Sequence, residues 1–186
     1  MRVIAGTARG VPLVAPRDRS TRPVTDRVKE TLFAILAPRI VGAAVLDLYA
    51  GSGAIGIEAL SRGAARCTFV ERGRPALEAL RTNLERTQLG GTATVVAGNV
   101  ERFLEADGAA GHDLAILDPP YVERAILAPL ERLAAQLPGG ALVVVKHFWR
   151  TEVPELDGLA RVRVRRFGET SLTFLERTGM GEGVDR

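Results

Sequence analysis

The chain has one cysteine, Cys67, two histidines, His112 and His147, and two lysines, Lys29 and Lys146, in 186 residues. A lone thiol excludes an intrachain disulfide and fits a reducing compartment. With no CxxC pair and no histidine cluster, nothing has the spacing of a metal site. Each histidine is expected at the surface or satisfied in the core, and no metal is expected. No stretch of 18 apolar residues occurs, and the opening MRVIAGTARG breaks its apolar run at Arg9. A membrane span and a signal peptide are both excluded on that pattern, and a cytoplasmic protein is expected. Internal repeats are also missing, which leaves a single domain over 1–177 as the simplest organisation.

Arginine is what the chain has in excess, 23 of its 25 basic residues. Its planar fork suits phosphate oxygens, although a GC-rich genome produces the same bias. Placement says more than number. Residues 1–29 carry Arg2, Arg9, Arg17, Arg19, Arg22, Arg27 and Lys29 against Asp18 and Asp26, a net +5, while the rest of the chain is −2. A basic arm beside a slightly acidic body suggests contact with a polyanion, and Arg2, Arg9, Arg17, Arg19 and Arg22 are its candidate contacts. A merely solvated N-terminus is the alternative.

Two short strands, RVIA and GVPLV, are expected to form a hairpin over residues 2–14, followed by an Arg/Pro loop. Together they make an N-terminal arm, 1–24, ahead of a core from 25 to 177. Thr25 has the character of an N-cap for a helix whose stripe is Val28, Leu32, Ile35 and Leu36, closed by Pro38. From Ala44 strand and helix alternate. The strands are 45–49, 67–71, 92–97, 113–118 and 141–146, and the helices 54–62, 74–87, 100–106 and 123–136. Apolar β-branched runs of this kind fit parallel strands covered on both faces, hence a doubly wound α/β sheet. ARVRVRRF (160–167) and SLTFLE (171–176) read as a closing antiparallel hairpin, and 178–186 as a polar, disordered tail.

Gly51-Ser52-Gly53-Ala54-Ile55-Gly56 follows the first strand, with Glu71 twenty residues after Gly51. By pattern alone this is a dinucleotide fingerprint. Asp47, inside the strand end, argues otherwise, because a carboxylate there repels a diphosphate and suits the cationic part of S-adenosylmethionine. Glu71 can accept the ribose hydroxyls in either case. Asn99, after the third strand, has a carbonyl that can accept from an adenine amino group, with Val100 as an apolar neighbour, but asparagine is also a routine cap there.

The fourth strand ends in Asp118-Pro119-Pro120-Tyr121. An amino group on an aromatic base is a poor nucleophile, because its lone pair is conjugated with the ring. A carboxylate (Asp118) and a fixed carbonyl (Pro119) accepting its two N–H bonds draw the nitrogen toward tetrahedral geometry. Pro120 restricts residue 119 to extended conformations, and Tyr121 offers a face for an unstacked base. The bland reading is a Pro-Pro turn capped by an acid.

Taken with RVIAGTARGVPL, TRPVTDRVKETLF (21–33), LDLYAGSGAIGIEALSRGA (46–64), FVE (69–71), LDPPY and RRFGETSLTF (165–174), these residues resemble the bacterial 16S ribosomal RNA guanine-N2 methyltransferases of the guanine-966 type, over residues 2–176. The resemblance implies a Rossmann-like sheet of seven strands, mostly parallel, with the last strand antiparallel, and S-adenosyl-L-methionine as cofactor. Asp47, Ala50, Gly51, Ser52, Gly53, Glu71, Arg72, Asn99, Val100 and Thr25 would line the cofactor. Arg22 and Thr25 would lie near cofactor and target, and Asp118 to Tyr121 would form the catalytic loop. It further implies 16S rRNA or a partly assembled small subunit as partner, and a monomer is expected. Asn99 stands where the family usually has aspartate, and Thr7 where its hairpin commonly has lysine. Three other readings remain open: an amino-methyltransferase for DNA or other RNA, a nicotinamide-dependent oxidoreductase, and a non-catalytic RNA-binding protein using the arm and the 161–166 arginines. A protein-glutamine methyltransferase would more often have Asn at 118.

Overall fold

The computed structural model describes residues 1–16, 26–119 and 124–179. The apolar runs form strands β1 (Ala44–Leu48), β2 (Arg66–Glu71), β3 (Ala93–Ala97), β4 (Leu114–Leu117), β5 (Leu142–Phe148), β6 (Leu159–Phe167) and β7 (Thr170–Arg177). They make one seven-stranded sheet in the order β3-β2-β1-β4-β5-β7-β6. The first five strands are parallel, and β7 runs antiparallel to both β5 and β6. Strand order therefore reverses between β1 and β4, where ligands of open α/β sheets gather.

The closing hairpin does not add strand by strand to the edge. Its second arm, β7, inserts beside β5 and leaves β6 outermost. Composition accounts for this. The middle of β7 is buried, whereas nearly all of β6 is exposed. The arginines of β6 could enter the sheet only with partners for their charge.

Helices α1 (Asp26–Leu36), α2 (Ala54–Ser61), α3 (Arg74–Thr87), α4 (Val100–Glu105) and α5 (Arg124–Gln136) cover the sheet. Pro75 stands in the first turn of α3, where its missing N–H costs nothing. One core, on the side of α1, α2 and α3, packs Phe33, Leu36, Phe69 and Leu80. The other packs Leu104, Leu130, Leu133 and Val143. Among the described residues no helix is long and apolar enough to cross a membrane.

The expected N-terminal strands shrink to a single bridge, Arg2 to Pro12, with flanking bonds such as Val3 N to Val11 O (3.0 Å). The arm's donors go elsewhere. Ile4 N (2.8 Å) and Ala5 N (3.0 Å) donate to the Glu58 carboxylate, and Thr7 N donates to Ser61 O (2.8 Å). Gly6, at φ +87°, presses so close that a Cβ there would fall 1.7 Å from Ser61 O. Glu58 is fully buried against an equally buried Lys29, whose Nζ is 3.1 Å from Oε2 and donates to Arg2 O at 2.5 Å. Such a pair is tolerated because its remaining bonding sites are filled, and removing one partner costs about 3–5 kcal/mol. The arm tip is thus pinned to the carboxyl end of α2, roughly 12 Å of helix from the glycine turn at its amino end.

Candidate active site

Asp47 lies in β1 and Glu71 ends β2, and the two strands run side by side. Between β1 and α2 the chain turns through Gly51 (φ 57°) and Gly53 (φ 77°), both left-handed. At Gly56 a Cβ would come within 2.3 Å of the Phe69 ring, so only glycine lets α2 pack this close to β2. Asp47 is 2% exposed and its Oδ2 accepts from Gly56 N at 2.9 Å. Burial first, and the nearby charges of Asp118 and Glu71, push its carboxyl up to about 8 despite that bond. Asp47 therefore lies within electrostatic reach of two further acids, each at the end of a neighbouring strand. A pyrophosphate would meet repulsion there, whereas a cation relieves it.

Glu71 is set by the backbone. Its Oε2 accepts from Gly51 N (2.9 Å) and its Oε1 from Arg72 N (2.8 Å) and Gly73 N (2.6 Å). A carboxylate has about four lone-pair sites, so one remains, on Oε2, for a ribose hydroxyl.

Asp118 follows β4 on the same face as Asp47, since Asp47 pairs with Ile116 and side chains alternate. Both its oxygens accept from Lys146 Nζ at 2.7 Å. Lys146 reaches it because Val144 of β5 is the register partner of Ile116, which puts the lysine one step further on the same face. Burial raises the Asp118 carboxyl and the Lys146 ammonium pulls it back, with a net upward shift. Pro119 is buried beside it.

The other expected residues fall in different places. Ser52 is buried and Ala50 half-buried within the glycine turn, which Gly53 N closes on Ala50 O at 2.8 Å. Arg72 is exposed. Asn99 is the N-cap of α4, with Oδ1 accepting from Arg102 N at 3.2 Å; the carbonyl expected to meet adenine is engaged in capping. Val100 is 3% exposed and packs in the second core. Arg2 and Arg9 are exposed on the arm. Arg17, Arg19, Arg22, Thr25, Pro120 and Tyr121 lie outside the described residues. Both histidines are satisfied core residues, His112 on Ala109 O and Thr68, His147 on Phe148 O and Thr173.

Three contributors carry no local sequence signal. Lys146 is one. Tyr49, at φ 58°, donates its hydroxyl to Glu101 at 2.8 Å, tying the glycine turn to α4, and burial followed by Glu101 raises its pKa. Asn83, fully buried, donates to Ser52 O (2.9 Å) and Val14 O (3.0 Å) and accepts from Val14 N, so one amide joins arm and glycine turn. Their partners are 52, 31 and 28 positions away at the nearest, beyond any motif window.

A parallel sheet with an antiparallel seventh strand, a glycine turn, and carboxylates at three adjacent strand ends define an S-adenosylmethionine-dependent methyltransferase of Rossmann-like fold. Within that class, a family model described as conserved hypothetical protein 95 matches residues 1–176, and the chain belongs to that family. YlbH of Bacillus subtilis is 38% identical over 184 residues, 96% of this chain and 100% of that one. Ribosomal RNA small subunit methyltransferase D of Escherichia coli is 47% identical over 121 residues, 65% of this chain but only 60% of that protein. Among solved structures, yhhF of Escherichia coli superposes with a TM-score of 0.87 at 36% identity, covering 97% of this chain and 99% of that one. An RNA methyltransferase from Salinibacter ruber, in complex with S-adenosyl-L-homocysteine, shares the fold at a TM-score of 0.70 and 17% identity, covering 89% and 100%.

Proposed function

We propose that the protein transfers a methyl group from S-adenosylmethionine to the exocyclic N2 amino group of a guanine in 16S ribosomal RNA, guanine 966 in the family's numbering. The observation that carries this reading is the Asp118 carboxylate, gripped through both oxygens by Lys146 at the rim of the crevice it shares with Asp47 and Glu71. The name of the Escherichia coli relative supports a small-subunit ribosomal RNA substrate.

The acidic crevice fits a cationic cofactor, which supplies an electrophilic methyl group when bound. Glu71 would hold a ribose hydroxyl and Asp47 would face its charged portion. Asp118 and the Pro119 carbonyl accept the two N–H bonds of the target amine and turn its lone pair away from the ring. Lys146 favours the ionised form of Asp118 and fixes its rotamer, while two lone-pair sites per oxygen leave room for the substrate donor. Pro120 and Tyr121 have the roles given above, restraint of residue 119 and a face for the base. Rate comes mainly from positioning; a strong base is unnecessary, because the amine becomes acidic only as it gains the methyl. The test is transfer of labelled methyl to ribosomal RNA transcripts against duplex DNA. Labelling of the RNA supports the reading, and labelling of DNA alone replaces it with a DNA amino-methyltransferase.

A further inference from the structure

The outermost strand of the sheet carries a second charged surface. From Leu159 to Phe167 the sequence LARVRVRRF contains four arginines and no carboxylate. Arg163, Arg165 and Arg166 are exposed, and their register partners on β7, Phe174, Leu172 and Ser171, are uncharged. Arg163 and Arg165 make no hydrogen bond or ion pair with any described residue.

Their position relates them to the site. Leu172 pairs with Lys146 on one side and with Arg165 on the other. Arg165 therefore shares a row and a face with the lysine that grips Asp118, two strand spacings or about 10 Å away. Arg163 stands on the same face one step down. On the opposite face, Arg166 lies with its guanidinium 3.8 Å from the ring centre of Trp149, while Arg150 sits 4.8 Å from the same ring. Trp149 comes directly after β5, so this stack is at the end of the sheet where Asp118 lies. Guanidiniums ordered against an aromatic ring lose less freedom on meeting an anion.

The described tip of the N-terminal arm, with Arg9, is pinned at the far end of α2. On these grounds we propose that the β6 edge, through Arg163, Arg165 and Arg166 with Trp149 ordering the last, is a phosphate-binding track that docks the RNA strand flanking the target base. The occupant is RNA backbone: an exposed strand edge set with arginines that meet no carboxylate among the described residues offers charge complementarity to phosphates, and the same arginines discourage pairing of the edge with another protein strand.

This rests on RNA being the substrate, so the experiment reads binding separately from turnover. Binding of a small-subunit ribosomal RNA transcript is followed by fluorescence anisotropy across a salt series, for wild type, for R163A/R165A/R166A and for R163K/R165K/R166K. Calorimetry with S-adenosylmethionine checks that each variant keeps its fold. The alanine variant should bind RNA on the order of tenfold more weakly, with the slope of log K against log salt smaller by about 2, and in turnover the loss should fall on KM. The lysine variant should retain most of the slope. Equal affinity and slope for wild type and the alanine variant would overturn the track. So would a concentration-dependent dimer in sedimentation that the alanine variant abolishes with RNA affinity unchanged, since the edge would then serve a second copy. RNA binding by wild type without methyl transfer defeats the proposed function and leaves the track standing.

Discussion

The two halves of the crevice are held by different means. On the proposed cofactor side, Glu71 is fixed by three backbone N–H groups and Asp47 by one, all within 20 residues of the acid they serve. On the proposed acceptor side, Asp118 is held by the side chain of Lys146, from another strand and 28 residues away. Backbone donors survive every substitution except proline and hardly depend on pH. A lysine partner can be removed, and its charge governs the ionisation of the acid it holds. Cofactor binding should therefore be robust and local, while the chemical step should be sensitive to one distant residue.

The largest effect should come from Asp118→Ala, which removes the acceptor without touching the cofactor side. Single-turnover transfer should fall roughly 10²–10³-fold, with the calorimetric Kd for S-adenosylmethionine unchanged. A parallel loss of cofactor binding would erase the distinction between the halves. Glu71→Ala should do the reverse, weakening cofactor binding about 30-fold, the scale of a charge-assisted hydrogen bond of ~2 kcal/mol, while transfer at saturating cofactor changes far less.

Lys146→Met sharpens the contrast. It withdraws the charge that pulls the Asp118 carboxyl down and leaves burial unopposed. The acidic limb of the pH–rate profile should move to higher pH, with activity at pH 7 about tenfold lower and recovering as pH rises. A uniform loss at every pH would mean that the lysine only packs.

Much of the fold and part of the site are legible in the sequence, for reasons visible at particular residues. The βα alternation from Ala44 survives because parallel strands buried on both faces must be apolar throughout, and the edges of α2, α3 and α4 fall within about a residue of expectation. At the N-terminal arm the antiparallel pairing is met at Arg2 and Pro12, with bonds joining Val3 to Val11 and Leu13 to Met1, while the donors of Ile4, Ala5 and Thr7 answer to Glu58 and Ser61, a partnership no local pattern encodes. Asn99 keeps its alternative reading, the cap. Lys146 was concealed inside ALVVVK, where it looks like the polar end of a strand; only the β4–β5 register turns it toward Asp118.

The smallest effect concerns Asp47. The folded protein keeps its proton up to about pH 8, whereas the unfolded chain loses it near 3.8, so folding stability declines as pH rises across that interval. Asp47→Asn removes this decline and should raise Tm at pH 8 by about 2–4 °C for each ~1 kcal/mol recovered. Wild-type affinity for the cationic cofactor should rise as pH approaches 8, because the cation favours the ionised carboxylate, and the Asn variant should lack that rise. Flat profiles for both proteins would contradict the charge assigned to this site.

The most direct test is nucleoside mass spectrometry of 16S ribosomal RNA after incubation with the purified protein and labelled S-adenosylmethionine, with Asp118→Ala run beside wild type. Labelled N2-methylguanosine is expected with wild type and almost none with the variant. Label on adenine or cytosine, or equal N2-methylguanosine from both proteins, would contradict it.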